Sequence, residues 1–378
     1  MTRFISIILF FVTCVVNLNA QNLEVFISKI ALPKGKILGA AFYEGTGRFF
    51  VQQNVLTTEN NGLVFRTNRH LSSWDIESRS IIRIRSLDDN QLGTKVYPCG
   101  RVETSAKLRK VFICSAESNI ELLDPDDFSI VGRMARQESG IIIDFAVDDL
   151  RSRLFVLTSP GDGSSRLIAY SLPGGNKEYE AVLPVTNSLP TGMILSLNPD
   201  IGRIGIAINV MNRAGYKADI YTCDYESSIA CTSIIKTDGV SQMSFLGKQI
   251  LAATNNFANN KKECLLTIDP ATRSMSREYC SPSTGVHYAV GIVNDRYVAA
   301  FTGISKSTWF THEARSVSTS FSVWRAENHK VAAVAKDSTD YGSFQNEIEI
   351  VASRTEPHII TYHRISNVLF LYTIVDNN

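Results

Sequence analysis

Catalytic signatures are mostly missing from this chain. It has no Gly-X-Ser-X-Gly elbow, no His-Glu-X-X-His pair, no phosphate-binding glycine loop and no dinucleotide fingerprint. The small residues of GDGSS (161–165) stand in the wrong order for a nucleophile turn and read as a plain turn. Excess charge is missing too: 38 Lys and Arg face 37 Asp and Glu, no long basic run stands out, and Lys261–Lys262 reads as a solvated loop pair. Binding to nucleic acid is driven by phosphate neutralisation, so a nucleic-acid partner is excluded. Cys-X-X-Cys spacing does not occur, which removes the usual zinc reading, and no metal or cofactor is expected. No Asn-X-Ser/Thr sequon occurs despite abundant Asn, a mild sign of an unglycosylated chain. An apolar period of 3.6 residues is nowhere sustained over three turns, which argues against helical repeats.

Long hydrophobic runs are confined to the start. Arg3 precedes the apolar stretch from Phe4 to Val16, and the small residue Ala20 precedes Gln21. That layout is the pattern of a secretory signal peptide over 1–20, with cleavage after Ala20 and a mature chain of 21–378. The stretch is shorter than the roughly 20 residues a helix needs to cross a bilayer, so a permanent anchor is disfavoured. The longest late run, Val368–Val375, suits a buried strand. The expectation is a secreted, extracellular protein with no membrane span.

What the sequence has in quantity is a repeat. One unit is a short apolar segment, a tight polar turn usually ending in Arg or Lys, and a second apolar segment. It is seen in AFYEGTGRFFV (41–51), VETSAKLRKVFI (102–113), FAVDDLRSRLFVL (145–157), LNPDIGRIGIAI (197–208), SFLGKQILAA (244–253), IVNDRYVAAF (292–301) and, more weakly, SFQNEIEIV (343–351). The other is a hairpin whose turn often opens with Asp, at Asp75, Asp124, Leu172, Asp224, Asp269, Arg325 and His363. Asp accepts hydrogen bonds from its own backbone, and Pro presets one backbone angle, so Asp-Pro and Pro-Gly form turns for physical reasons. The two units alternate strictly. Each period therefore holds four strands, a to d, and successive periods are about 48 residues apart.

Seven four-stranded periods predict an all-β, seven-bladed β-propeller of antiparallel blades at approximately 38–87, 95–135, 139–184, 190–237, 239–282, 286–336 and 342–376. LNPDIGRIGIAI and LDPDDFSI resemble the repeats of the broad YVTN and WD-repeat-like propeller superfamily. The resemblance spans nearly the whole mature chain and implies architecture only. The single Trp74–Asp75 dipeptide lacks the Gly-His partner of a true WD repeat. The alternating segment LEVFISKIAL, within Asn22–Leu32, is a candidate for the strand that closes the ring, although the seventh period reads as having c and d strands of its own.

Of the seven cysteines, Cys14 falls in the signal segment. The other six are three sequence neighbours, each nearly symmetric about a turn. Residues equidistant from a hairpin turn face each other across the ladder, so the expected bridges are Cys99–Cys114, Cys223–Cys231 and Cys264–Cys280.

A propeller places its a–b and c–d turns on one rim and its b–c connections on the other. Here the first set is short, whereas the b–c connections 52–70, 159–165, 209–219, 255–263 and 302–318 are long and uneven. Long loops on a rigid scaffold concentrate binding residues. In the richest, TGISKSTWFTHEARSVS, Trp309, Phe310, His312 and Arg315 are the types that anchor interfaces, unless both aromatics fold back onto the blade. Arg213, Tyr216 and Phe257 share that rim. His287 precedes an innermost strand, where it could look into the channel, but its leading reading is a hydrogen-bonded surface or core histidine. His358 and His363, five apart, point to opposite faces of a strand, and Asp148 and Asp149 read as turn residues. The leading reading is a binding protein for an extracellular protein or glycan. The other is a propeller hydrolase or lactonase acting at the channel mouth, and the fold alone does not choose between them.

Overall fold

The computed structural model describes residues 14–15, 23–32, 35–59, 64–92, 99–115, 119–135, 140–159, 164–183, 190–212, 215–254, 264–281, 286–307, 314–337, 348–363 and 367–376. Two strands come from the N-terminal region, β1 (Cys14–Val15) and β2 (Leu23–Ala31). Blade 1 is β3 (Lys36–Tyr43), β4 (Arg48–Glu59), β5 (Val64–Asp75) and β6 (Ile81–Leu92). Blade 2 is β7 (Val102–Ser105), β8 (Lys110–Cys114), β9 (Ile120–Leu123) and β10 (Ile130–Met134). Blade 3 is β11 (Ile141–Asp148), β12 (Arg153–Ser159), β13 (Ser165–Ser171) and β14 (Lys177–Leu183). Blade 4 is β15 (Pro190–Asn198), β16 (Arg203–Asn212), β17 (Gly215–Asp224) and β18 (Ala230–Asp238). Blade 5 is β19 (Val240–Leu246), β20 (Gln249–Thr254), β21 (Cys264–Asp269) and β22 (Ser274–Cys280). Blade 6 is β23 (Val286–Val293), β24 (Tyr297–Ser307), β25 (Ala314–Arg325) and β26 (Val331–Asp337). The chain ends in β27 (Ile348–Ala352), β28 (His358–His363) and β29 (Val368–Asp376).

All neighbouring strands within the blades are antiparallel, and the innermost strands touch in a closed circle, β3 to β7, β11, β15, β19, β23, β27 and back to β3. This is the seven-bladed, all-β propeller that the repeat predicts. The reason lies in the b strands. Successive residues of a strand point to opposite faces, and each blade is covered on both. In β4, Phe49 therefore packs toward blade 7 and its neighbour Phe50 toward blade 2, both fully buried. Seven apolar clusters fill the seven gaps between blades, and each large side chain so buried contributes about 1.5–3 kcal/mol.

The turns follow the expected chemistry. The Asp75 carboxylate accepts from the Ser78 amide at 2.6 Å, Asp124 from the Asp126 amide at 2.8 Å and Asp269 from the Ala271 amide at 2.8 Å. Hydrogen bonds to the ionised form, led by the Ser78 hydroxyl at Asp75 and the Ala271 amide at Asp269, hold both carboxyls below the usual range.

Two readings need correction. The seventh period does not supply its own d strand. β27, β28 and β29 are strands a to c, and the turn after His363 is a b–c connection. The d strand is β2, which pairs with β29 without a bulge from Leu23↔Asp376 to Ala31↔Val368. The candidate closing segment thus seals the ring and covers an edge that would otherwise leave backbone groups unpaired. Three of the long b–c connections are also strands for most of their length. β4 and β5 pair out to Glu59↔Val64, β16 and β17 to Asn212↔Gly215, and β24 and β25 to Ser307↔Ala314. They are hairpin arms, and their polar sequences disguise the ladder.

All three bridges form as expected. Cys223 and Cys231, and Cys264 and Cys280, are register partners with Cα atoms 4.0 and 3.8 Å apart. Cys99 departs from the symmetric placement. Blade 2 pairs Val102 with Ile113, so Cys99 reaches Cys114 from the segment before β7, at a Cα separation of 5.9 Å.

Candidate recognition rim and central channel

The rim carrying the a–b and c–d turns is occupied by ties between blades. Arg48 reaches Asp126 at 3.0 Å from blade 1 to blade 2, and Lys107 donates to the Asp149 carbonyl at 3.1 Å from blade 2 to blade 3. Arg151 pairs with Glu226 and Arg153 donates to the Tyr225 carbonyl at 2.7 Å, joining blades 3 and 4. Asn198 donates to the Gly247 carbonyl at 2.6 Å and Tyr279 to the Ala326 carbonyl at 3.1 Å, carrying the belt to blade 6. A bidentate Arg325–Asp376 pair at 2.9 Å reaches blade 7. The Ser353 and Thr355 hydroxyls donate to Glu44 at 2.7 and 2.6 Å and close the circle. Asp148 belongs to the same system: it is fully buried in its turn and accepts from the Tyr225 hydroxyl at 2.8 Å. Burial and that bond push the Tyr225 pKa well above the ordinary tyrosine value. Asp148 is therefore structural, in line with its turn reading.

The opposite rim carries the three arms. Of the residues expected to bind there, Trp309, Phe310, His312, Arg213 and Phe257 lie outside the described residues. Arg315 lies on β25, in register with Lys306 near the end of the blade 6 arm. Tyr216 lies on β17 opposite Met211, and its carbonyl accepts from the Gly239 amide at 3.0 Å. A Cβ at Gly239 would come within 1.7 Å of the Tyr216 ring, so the glycine makes room for it. Tyr216 is thus held against the link from β18 to β19 and is only partly exposed.

The channel holds a charged cluster that the sequence did not flag. Arg101, just before β7, contacts Glu103 at 2.7 Å and Asp144 of blade 3 at 3.5 Å, and donates to the Leu195 carbonyl of blade 4 at 3.3 Å. Asp144 accepts from the Leu195 and Phe145 amides at 2.9 Å each. Glu349 of blade 7 accepts from the Tyr362 hydroxyl at 2.5 Å. Burial pushes the Asp144 carboxyl above the usual carboxylate range, and Arg101 opposes that shift. Burial disfavours the charged guanidinium of Arg101 as well, but Asp144 and Glu103 outweigh it and raise its pKa. Across the ring, the Gln242 amide of blade 5 donates to the Ile350 carbonyl of blade 7 at 2.7 Å and accepts from the Ile350 amide at 3.2 Å. Arg101 and Gln242 each skip one blade, so both ties run as chords over the channel wall. The only sequence signal for this cluster is a polar residue ahead of, or inside, an otherwise apolar inner strand.

His287 is the hydrogen-bonded core histidine of its leading reading and does not look into the channel. It is buried with Nδ1 3.0 Å from the Thr302 hydroxyl and its ring edge-on to Trp324, between blades 5 and 6. Among the described residues no three His, Cys, Asp or Glu side chains are grouped to hold a metal ion, and no helix is long and apolar enough to cross a membrane.

No family model matches the sequence, and no curated protein matches it. Among solved structures, the chain is similar to the Myceliophteria thermophila Cps50 (Swd1) beta-propeller domain. The TM-score is 0.56 at 10% identity, over 91% of this chain and 98% of that one. The likeness shows the β-propeller fold. In all, 853 chains match, which marks a scaffold reused widely and leaves function to the particular surface.

Proposed function

We propose that this chain is an exported binding protein that recognises an extracellular protein or glycan with the rim carrying the three hairpin arms. The observation that carries the reading is the contrast between the rims: one is spent on a circle of ties between blades, while the other displays the arms of blades 1, 4 and 6. Trp309, Phe310, His312 and Arg315 at the blade 6 arm are the leading anchors, with Arg213, Tyr216 and Phe257 as neighbours on the same rim. Three local disulfides fit an oxidising compartment, and the signal-like segment 1–20 supplies a route to it. The channel carboxylates Glu103, Asp144 and Glu349 are engaged by Arg101, backbone amides and Tyr362, an arrangement that does not favour the hydrolase reading. The test is an array of extracellular proteins and glycans probed with the wild-type chain and with Trp309→Ala/Phe310→Ala. Binding lost in the variant at unchanged thermal stability supports the reading, and binding that persists excludes the blade 6 arm. N-terminal sequencing of material recovered from the medium should begin at Gln21.

A further inference from the structure

Among the described residues, the outer strand of blade 1 carries the longest run of exposed residues of any outer strand. β6 bonds to β5 on one side and is the edge of its sheet. Six consecutive residues, Ile81 to Ser86, are exposed, and three of them are isoleucines left 40%, 46% and 41% accessible at Ile81, Ile82 and Ile84. Exposed β-branched residues on a bare edge invite another strand, because the edge offers unpaired N–H and C=O groups. Arg83 and Arg85 alternate with them. They face the blade 2 side, where Arg85 donates to the Asp127 carbonyl at 3.2 Å.

Those arginines decide which strand can dock. A two-fold antiparallel pairing of two copies centred on Arg83 sets Arg83 against Arg83, and one centred on Ile84 sets Arg83 against Arg85 twice. Like charges directly opposite destabilise a ladder, so the self-pairings that use the whole exposed run are disfavoured. A strand with Asp or Glu opposite the arginines and aliphatic side chains between them gains on both counts. A flexible anionic polymer such as a sulfated glycan would meet the arginines but leave the isoleucines and backbone groups unused. We propose that β6 is a second recognition element, separate from the arm-bearing rim, which takes up an extended acidic segment of a partner protein as an added fifth strand of blade 1.

The probe is a blocked peptide of alternating Val and Glu, compared with its Val and Lys counterpart and with a Val and Glu peptide N-methylated at alternate amides. Binding is followed by amide hydrogen exchange. The Val and Glu peptide should slow exchange across 81–86, and both other peptides should leave it unchanged. Arg83→Glu, whose side chain is exposed and makes no hydrogen bond among the described residues, should weaken binding about fivefold and favour the lysine peptide. Equal protection by the lysine or N-methylated peptide, protection elsewhere on the ring, or none at all would overturn the proposal. Binding of heparin in preference to the peptide would likewise assign the arginines to an anionic glycan.

Discussion

Gln52 is the side chain least matched to its surroundings. It is fully buried on the blade 2 face of β4, opposite Leu71, and neither its Nε2 nor its Oε1 has a hydrogen-bond partner among the described residues. An unpaired buried amide costs about 1–3 kcal/mol, so Gln52→Met, similar in volume, should raise the unfolding free energy in urea by about 1 kcal/mol. A loss of that size would show instead that water satisfies the amide. Gly39 poses the reverse case. A Cβ there would stand 2.1 Å from the Gly100 carbonyl, so Gly39→Ala forces blades 1 and 2 apart and should cost about 1–3 kcal/mol in the same measurement. His358 gives the closing blade a pH dependence. Its ring lies against Phe42 with Nδ1 3.1 Å from the Thr373 hydroxyl, and burial holds its pKa below the ordinary value, Glu44 opposing. The unfolded chain then binds more protons than the folded one, so stability is complete above the ordinary histidine pKa of about 6.5 and is lost as pH falls through the lower folded value. Thermal midpoints should decline over that window, and less steeply in His358→Gln.

Strands and turns explain what the sequence made legible. The blades stand out because both faces of each sheet are buried, which gives runs such as IGIAI between turns built by Asp, Pro and Gly. The arms did not stand out, because Val55 to Asn68 carries little apolar patterning where the hairpin leaves the packed ring. The last blade was misassigned for a different reason: local pattern shows that β27, β28 and β29 are strands, but not that their fourth partner lies near the other end of the chain. The channel cluster was invisible, since Arg101, Asp144, Gln242 and Glu349 are single polar residues about 40 to 110 positions apart. Bridges on neighbouring strands were readable because turn symmetry sets the partner. Each closes a short loop, so removing one as Cys223→Ser/Cys231→Ser should lower the unfolding free energy by about 2–3 kcal/mol, with the strand signal in far-ultraviolet circular dichroism unchanged.

On the scale of the molecule, the ring is a closed cycle in which each blade packs on two neighbours, and β2 is the latch. A chain starting at Leu32 leaves β29 as a bare edge and strips Leu23 and Val25 from the blade 6–7 core and Ile30 from the blade 7–1 core. That chain should lose its single cooperative transition and self-associate on size exclusion. With the latch in place, one rim is occupied by ties between blades, and the proposed function assigns recognition to the other. The division is tested most directly by replacing the arm tips 60–63, 213–214 and 308–313 with Gly-Ser turns and repeating the protein and glycan array alongside thermal unfolding. The account predicts an unchanged unfolding midpoint and loss of the array signal, whereas binding that survives on a folded ring would contradict it.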